Sequence, residues 1–269
     1  MIEKHCYLLV EGPLDVFFIG RILEELGLSA VRTADQLPPR WRPFLDNVLA
    51  RRDSEIRAAG KPPIPFWQMF KPACLINETH KVLVEAVGGN RTKFANALQA
   101  ANALIDGGLA SLNAVGFLPD ADRDPNASLS SAQRALASAG LSFPDKNQEV
   151  SMGKTNSGIF LIPGGDDHGG LEEILIACAE AVYPSLSDSA RQFVGSVNLE
   201  SDSYTDEDRK DLMTPQGPVK AIVGSIASVL KPGSTIQVSV LRDRWVSKTT
   251  IAIPRVAALV TFLKSLCEM

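Results

Sequence analysis

Residues 113–125 read NAVGFLPDADRDP, an apolar run followed by three aspartates, Asp120, Asp122 and Asp124. The apolar run predicts a buried strand, and the proline and charged residues after it mark its end. Carboxylates spaced this closely repel one another, and each favours hydration. The end of this strand therefore either points into water or receives a positively charged partner.

Three more apolar runs precede helical patterns elsewhere in the chain. With the first run they predict strands at 6–10, 80–89, 113–120 and 157–165, and helices at 13–27, 91–108, 128–140 and 171–183. Near-continuous apolar strands that alternate with helices are typical of a parallel sheet covered on both faces. We therefore predict an α/β fold with a mostly parallel sheet flanked by helices.

Two segments depart from this alternation. Residues 28–79 contain seven prolines and one predicted short helix near 42–59, so we interpret them as an insertion or lid in a domain spanning 1–185. Residues 186–269 have mostly helical spacing, except for STIQVSVLRDRW at 234–245. We expect this second segment to be a helical C-terminal extension packed on the same domain.

Composition narrows the classes of function. The net charge of the 269 residues is −4, so nucleic-acid binding would require local basic patches or a bound metal. The four cysteines form no C-x-x-C pair, and the three histidines lack metal-ligand spacing. We find no signal-peptide pattern and no apolar run of the roughly 18 residues that span a bilayer. We therefore expect a cytoplasmic protein with no membrane partner.

Acidic residues follow three of the four predicted strands, and the carboxyl ends of parallel strands meet at one edge of the sheet. Oxygen ligands without histidine or cysteine favour Mg²⁺ or Mn²⁺. The alternative is that each acid is solvated or caps a helix. The convergence of three strand ends favours a metal site formed by Glu11, Asp15, Asp120, Asp122, Asp124 and Glu172.

The sequences LLVEG at Glu11 and FLPDADRD at Asp120 and Asp122 resemble the signature of the Toprim domain, found in topoisomerases, primases and RNase-M5-type and overcoming-lysogenization-defect nucleases. The resemblance covers roughly residues 5–20 and 78–185. GGLEE with Glu172 is similar to the two-metal nuclease branch. The end of the chain, DRWVSKTTIAIPRVAALVTFLKSL, resembles that of a small stand-alone Toprim family related to these nucleases.

This resemblance implies two-metal cleavage of phosphodiester bonds in DNA or RNA, with catalytic residues Glu11, Asp120, Asp122 and Lys248. The lysine would stabilise charge in the transition state. A role in DNA repair or phage defence also follows from the resemblance. Two alternatives stay open: a non-catalytic nucleic-acid-binding Toprim protein, and a subunit that acts only with an ATPase partner.

Exposed arginines are candidate contacts to a phosphate backbone, although a solvated basic surface is the alternative. The candidates are Arg40, Arg42, Arg242 and Arg244. The resemblance also leaves room for a homodimer.

Overall fold

The computed structural model describes residues 3–43, 45, 73–88, 91–165, 168–198, 200 and 204–269. The predicted helix near 42–59 falls mostly outside these residues. No described helix is both long and apolar enough to cross a lipid bilayer.

The described residues form one sheet of seven strands, in the order β2-β3-β4-β1-β5-β7-β6. The neighbours β4-β1, β1-β5 and β5-β7 are parallel, whereas the outer pairs are antiparallel. The parallel centre confirms the predicted mostly parallel sheet. The strands are β1 Lys4–Val10, β2 Ser29–Ala30, β3 Ala73–Ile76, β4 His80–Ala86, β5 Ala114–Leu118, β6 Val150–Ser151 and β7 Asn156–Ile159.

Nine α-helices accompany this sheet in the described part of the chain. They are α1 Pro13–Glu25, α2 Arg91–Leu104, α3 Pro125–Ser138, α4 Leu171–Val182, α5 Pro184–Gly195, α6 Asp206–Leu212, α7 Gly217–Leu230, α8 Ile236–Arg242 and α9 Pro254–Cys267. The prediction that residues 234–245 are an exception to the helical spacing was wrong, because α8 lies within this range. This helix packs on α1 and buries Val240, so tertiary packing overrides the strand preference of its β-branched residues.

Helices cover both faces of the sheet and create two hydrophobic cores. Successive residues of a strand point to opposite faces, so β1 contributes to both cores. Its Leu8 joins the core that includes α1, α4, α7 and α9. Its Tyr7 joins the other core, which includes α2, α3 and the fully buried Trp41.

The described parts of residues 28–79 and of the C-terminal segment share this sheet and these cores. From the first segment, β3 pairs with β4 along the sheet. From the second, α9 packs over β5 and β7. A Cβ atom on Gly116 would lie 2.6 Å from the side chain of Leu266, and one on Gly158 would lie 2.8 Å from that of Phe262. These two glycines therefore let α9 approach the strands closely.

Candidate functional site

The carboxyl edge of the parallel sheet brings together five acidic side chains. We call Glu11, Asp15, Asp120, Asp122 and Glu172 the acidic cluster. Val10 of β1 aligns with Leu118 of β5, so both strands end at the same level. The backbone N–H of Asp120 then donates to the Glu11 carboxylate, with 3.3 Å between N and Oε2. The parallel register thus places the first two acids beside each other.

Asp15 is held by the local structure at the start of α1. Gly12 precedes the helix, Pro13 occupies its first turn, and the Gly12 N–H donates to Asp15 Oδ2 at 2.7 Å. The side chain is buried, and its Oδ1 has no hydrogen-bond partner in the described part of the chain. Burial raises the pKa of Asp15 to about 7, opposed by the Gly12 hydrogen bond and reinforced by the charges of Glu11 and Glu172.

Asp120 has the most perturbed carboxyl group of the cluster. Its Oδ1 is also buried without a hydrogen-bond partner among the described residues. Burial is the main effect that raises the pKa of Asp120 to about 9, and negative charges of its neighbours contribute to the same rise, namely those of Asp15, Glu11, Glu172 and Asp122. The negative charges of the cluster therefore oppose the ionisation of Asp120.

The two glycines directly before α4, Gly169 and Gly170, lie close to Asp120 and Asp122. Backbone hydrogen bonds in both directions join Asp122 to Gly169, at 3.0 and 2.8 Å. A Cβ atom on Gly170 would lie 2.7 Å from Asp120 Oδ2, so only glycine permits this approach. The Gly170 N–H donates to Glu173 Oε2 at 2.9 Å. Glu173 is thus occupied in capping α4, while the charge of Glu172 acts on the cluster.

The aspartates of the opening motif have three different roles. Asp120 is partly buried, whereas Asp122 is exposed with a left-handed backbone (φ 54°) and acts on Asp120 through its charge. Asp124 is also exposed, and its carboxylate accepts a hydrogen bond from the Ala127 N–H at 3.0 Å at the start of α3. This capping bond explains Asp124 without a metal ion.

The donor set of the cluster suits a hard divalent cation. Neither Asp15 nor Asp120 forms an ion pair with a described lysine or arginine, and each has one unsatisfied buried oxygen. Carboxylate oxygens are the ligands that Mg²⁺ and Mn²⁺ prefer. As the side chains stand, no described group of three or more acidic, histidine or cysteine residues surrounds a common point. Cation binding would therefore require carboxylates to turn inward.

A small recess of about 50 Å³ adjoins the cluster. Its lining combines acidic, aromatic, hydroxyl and small apolar side chains, namely Glu11, Phe94, Phe117, Pro119, Asp120, Asp122, Ser128, Ser131 and Ala132. This space is large enough for an ion or a water.

Lys248 and the C-terminal arginines lie on the surface. Lys248 is exposed in the segment before α9 and forms no hydrogen bond or ion pair with the described acidic cluster. Arg242 ends α8 and Arg244 follows it, and both are exposed. No contact in the described residues ties these three cations to the carboxyl edge.

The other two predicted arginines make local contacts. Arg40 donates to the backbone oxygen of Ser111 at 2.6 Å, just before β5 and therefore at the amino edge of the parallel strands. Arg42 donates to the backbone oxygens of Leu37 and Asp35 at 3.4 and 3.5 Å. The structure thus places Arg40 at the edge opposite the acidic cluster.

One residue near this edge escaped the sequence analysis. Glu85 lies near the end of β4, accepts a hydrogen bond from the Tyr7 hydroxyl, and has its pKa raised to about 7 by burial. A single acid within the apolar run HKVLVEAV is the signal that could have identified it.

The fold and the cluster define an α/β protein with a carboxylate site at the carboxyl edge of a parallel sheet. The chain belongs to the family described as "Protein of unknown function (DUF3226)", which matches residues 6–268. The search of curated proteins finds no match. Among solved structures, the chain is similar to a hypothetical protein from Pyrococcus horikoshii OT3, with 16% identity, coverage of 98% of this chain and 95% of that one, and a TM-score of 0.46.

Proposed function

We propose that the acidic cluster binds Mg²⁺ or Mn²⁺ and that the protein is a Toprim-type nuclease that cleaves phosphodiester bonds in DNA or RNA. The observation that carries this proposal is the pair Asp15 and Asp120, each of which has a buried, unsatisfied carboxyl oxygen among other carboxylates. Burying uncompensated carboxyl groups is unfavourable, so a cation is the expected partner.

The chain's own residues prepare the site in three ways. Asp120, Glu11 and Asp122 would bind one ion, and Asp15 with Glu172 would assist a second. The Gly12 N–H fixes the orientation of Asp15, and Gly170 lets the backbone lie close to Asp120. When bound, divalent ions supply positive charge that offsets the charge developing on a phosphoryl group. Lys248 would contribute to this effect only if the substrate brought it to the carboxyl edge.

A nuclease assay with site variants tests the proposal. Single- and double-stranded DNA and RNA are incubated with the protein in Mg²⁺, Mn²⁺ or EDTA, beside Asp120→Asn and Glu11→Gln. The matched control is Asp145→Asn, because Asp145 is an exposed aspartate outside the cluster. We expect cleavage that requires metal and falls by about 100-fold or more in the two cluster variants. Cleavage that persists in EDTA or in Asp120→Asn would refute it.

A non-catalytic role is the second candidate function. No described lysine or arginine pairs with Asp15 or Asp120, and such a cation commonly stabilises the transition state of phosphoryl transfer. A bound cation would then bridge the cluster to a phosphate backbone without cleavage. Metal-dependent retention of labelled nucleic acid, without products, would identify this role.

The Toprim resemblance adds proposals about context. We place the protein in the cytoplasm, and an ATPase partner or a second copy would complete a defence or repair complex. Cleavage that appears only after an ATPase is added would identify the partnered form.

A further inference from the structure

A larger cleft of about 390 Å³ lies beside α1, separate from the recess at the acidic cluster. Its walls come from α1, from β2 and the residues after it, from β3, and from the end of α8. The apolar part of this lining includes Val16, Phe17, Val31, Cys74, Leu75 and Leu241. Clefts of this size with mostly apolar walls are typical of small-molecule sites.

Positive charge lines the same cleft. Arg21 is already neutralised, because it pairs with Glu24, which also lines the cleft, and lies 3.5 Å from Glu25. Arg32 and Arg242 are different: both are exposed, and neither guanidinium forms an ion pair or hydrogen bond with the described part of the chain. Guanidinium groups bind phosphate and carboxylate through paired hydrogen bonds. The cleft therefore offers an apolar surface together with two cations that have no side-chain partner among the described residues.

Gly20 provides an independent observation. It lies in the middle of α1 and lines the cleft, although glycine in a helix interior is about 0.5–1 kcal/mol less favourable than alanine. A Cβ atom there would meet only the Leu75 side chain, at 4.0 Å, which is ordinary contact. Packing thus explains Gly116 and Gly158 but not Gly20. The missing side chain instead enlarges the cleft.

We propose that this cleft binds an organic anion. Its phosphate or carboxylate would contact Arg32 and Arg242, and its apolar body would lie against Phe17 and Leu75 in the space left by Gly20. A nucleotide and a fatty carboxylate share this chemistry. The site is separate from the acidic cluster, so the proposal does not depend on nuclease activity.

Fluorescence titration with 8-anilinonaphthalene-1-sulfonate, an apolar ring system with one anionic group, tests the site. We expect saturable binding that the double variant Arg32→Ala/Arg242→Ala weakens by about tenfold or more. Gly20→Met should weaken binding by about as much while keeping both arginines, because its side chain fills the cleft. Circular dichroism checks that each variant is folded.

Three controls isolate the effect. Arg134→Ala removes an exposed arginine on α3 and should leave the affinity unchanged. Gly20→Ala adds one methyl group and should change the affinity by less than about threefold. Asp120→Asn should bind the dye normally, which separates this site from the acidic cluster.

Competition identifies the natural chemistry. Displacement of the dye by adenosine monophosphate but not decanoate would assign a nucleotide, and the reverse would assign a fatty carboxylate. Displacement by neither overturns the proposal. The proposal is also overturned if the dye does not bind, or if both Arg32→Ala/Arg242→Ala and Gly20→Met leave its affinity unchanged.

Discussion

Replacing Asp120 by asparagine is expected to stabilise the protein when divalent cations are absent. The folded chain raises the pKa of this carboxyl group from its ordinary 3.8 to about 9, chiefly by burial. At a pH between these two pKa values, the Asp120 carboxyl group is ionised in the unfolded chain but protonated in the folded chain. The free energy of unfolding therefore falls as the pH rises from about 4 toward 9.

The size of the effect follows from this linkage. Each pH unit above the ordinary pKa lowers the free energy of unfolding by about 1.4 kcal/mol. Since pH 7 lies roughly three units above that pKa, the total loss is about 4 kcal/mol. Asparagine removes this cost but introduces an amide group that needs a partner, which costs about 1–3 kcal/mol if none is found. We expect Asp120→Asn to raise the free energy of unfolding at pH 7 by about 1–3 kcal/mol.

Urea denaturation followed by circular dichroism measures this difference. The wild type, Asp120→Asn and the exposed control Asp145→Asn are compared in EDTA near pH 4, pH 7 and pH 8.5. The advantage of Asp120→Asn should be largest at pH 8.5 and smallest at pH 4, where the unfolded chain still keeps part of this proton and the folded chain keeps all of it. An Asp120→Asn variant that is no more stable than the wild type at pH 7 and pH 8.5 would refute the reasoning.

Three further predictions concern the same edge of the sheet. Millimolar Mg²⁺ or Mn²⁺ should raise the melting temperature of the wild type by a few degrees but not that of Asp120→Asn, because a ligand that binds the folded state stabilises it. Differential scanning fluorimetry measures both melting temperatures, and equal shifts in the two proteins would contradict this prediction. Gly170→Ala should weaken Mn²⁺ binding in calorimetry by about tenfold, because its Cβ would displace the Asp120 carboxylate, and unchanged affinity would contradict the close approach. Asp124→Ala should lower the free energy of unfolding in urea denaturation by about 1 kcal/mol and keep the wild-type Mn²⁺ affinity, because the Asp124 side chain caps α3. A loss of metal binding in this variant would instead identify Asp124 as a metal ligand.

The parallel centre of the sheet was predictable because its strands bury both faces and therefore read as continuous apolar runs. The outer strands β2, β3 and β6 were not predicted. They contain two to four residues each, which is too short for a periodic signal. The error at α8 has a different origin, since its helical state depends on packing against α1.

The part of the site that the order of strands and helices determines was predictable from the sequence. Parallel strands deliver Glu11 and Asp120 to one edge, and the helices that follow deliver Asp15 and Glu172. The sequence could not separate Asp122 from Asp124, because a capping hydrogen bond depends on local backbone geometry. It also could not assign Arg40 to the amino edge, since sequence position does not determine which end of a sheet a loop contacts.

The close fit of α9 on Gly116 and Gly158 has a consequence for synthesis on the ribosome. The central strands β5 and β7 emerge well before residues 254–267, so one face of the sheet has no final covering while the chain grows. Exposed apolar surface of this kind makes nascent chains prone to aggregation. The nascent protein should therefore depend on chaperones until α9 has been made, and a chain interrupted before residue 254 should aggregate rather than fold.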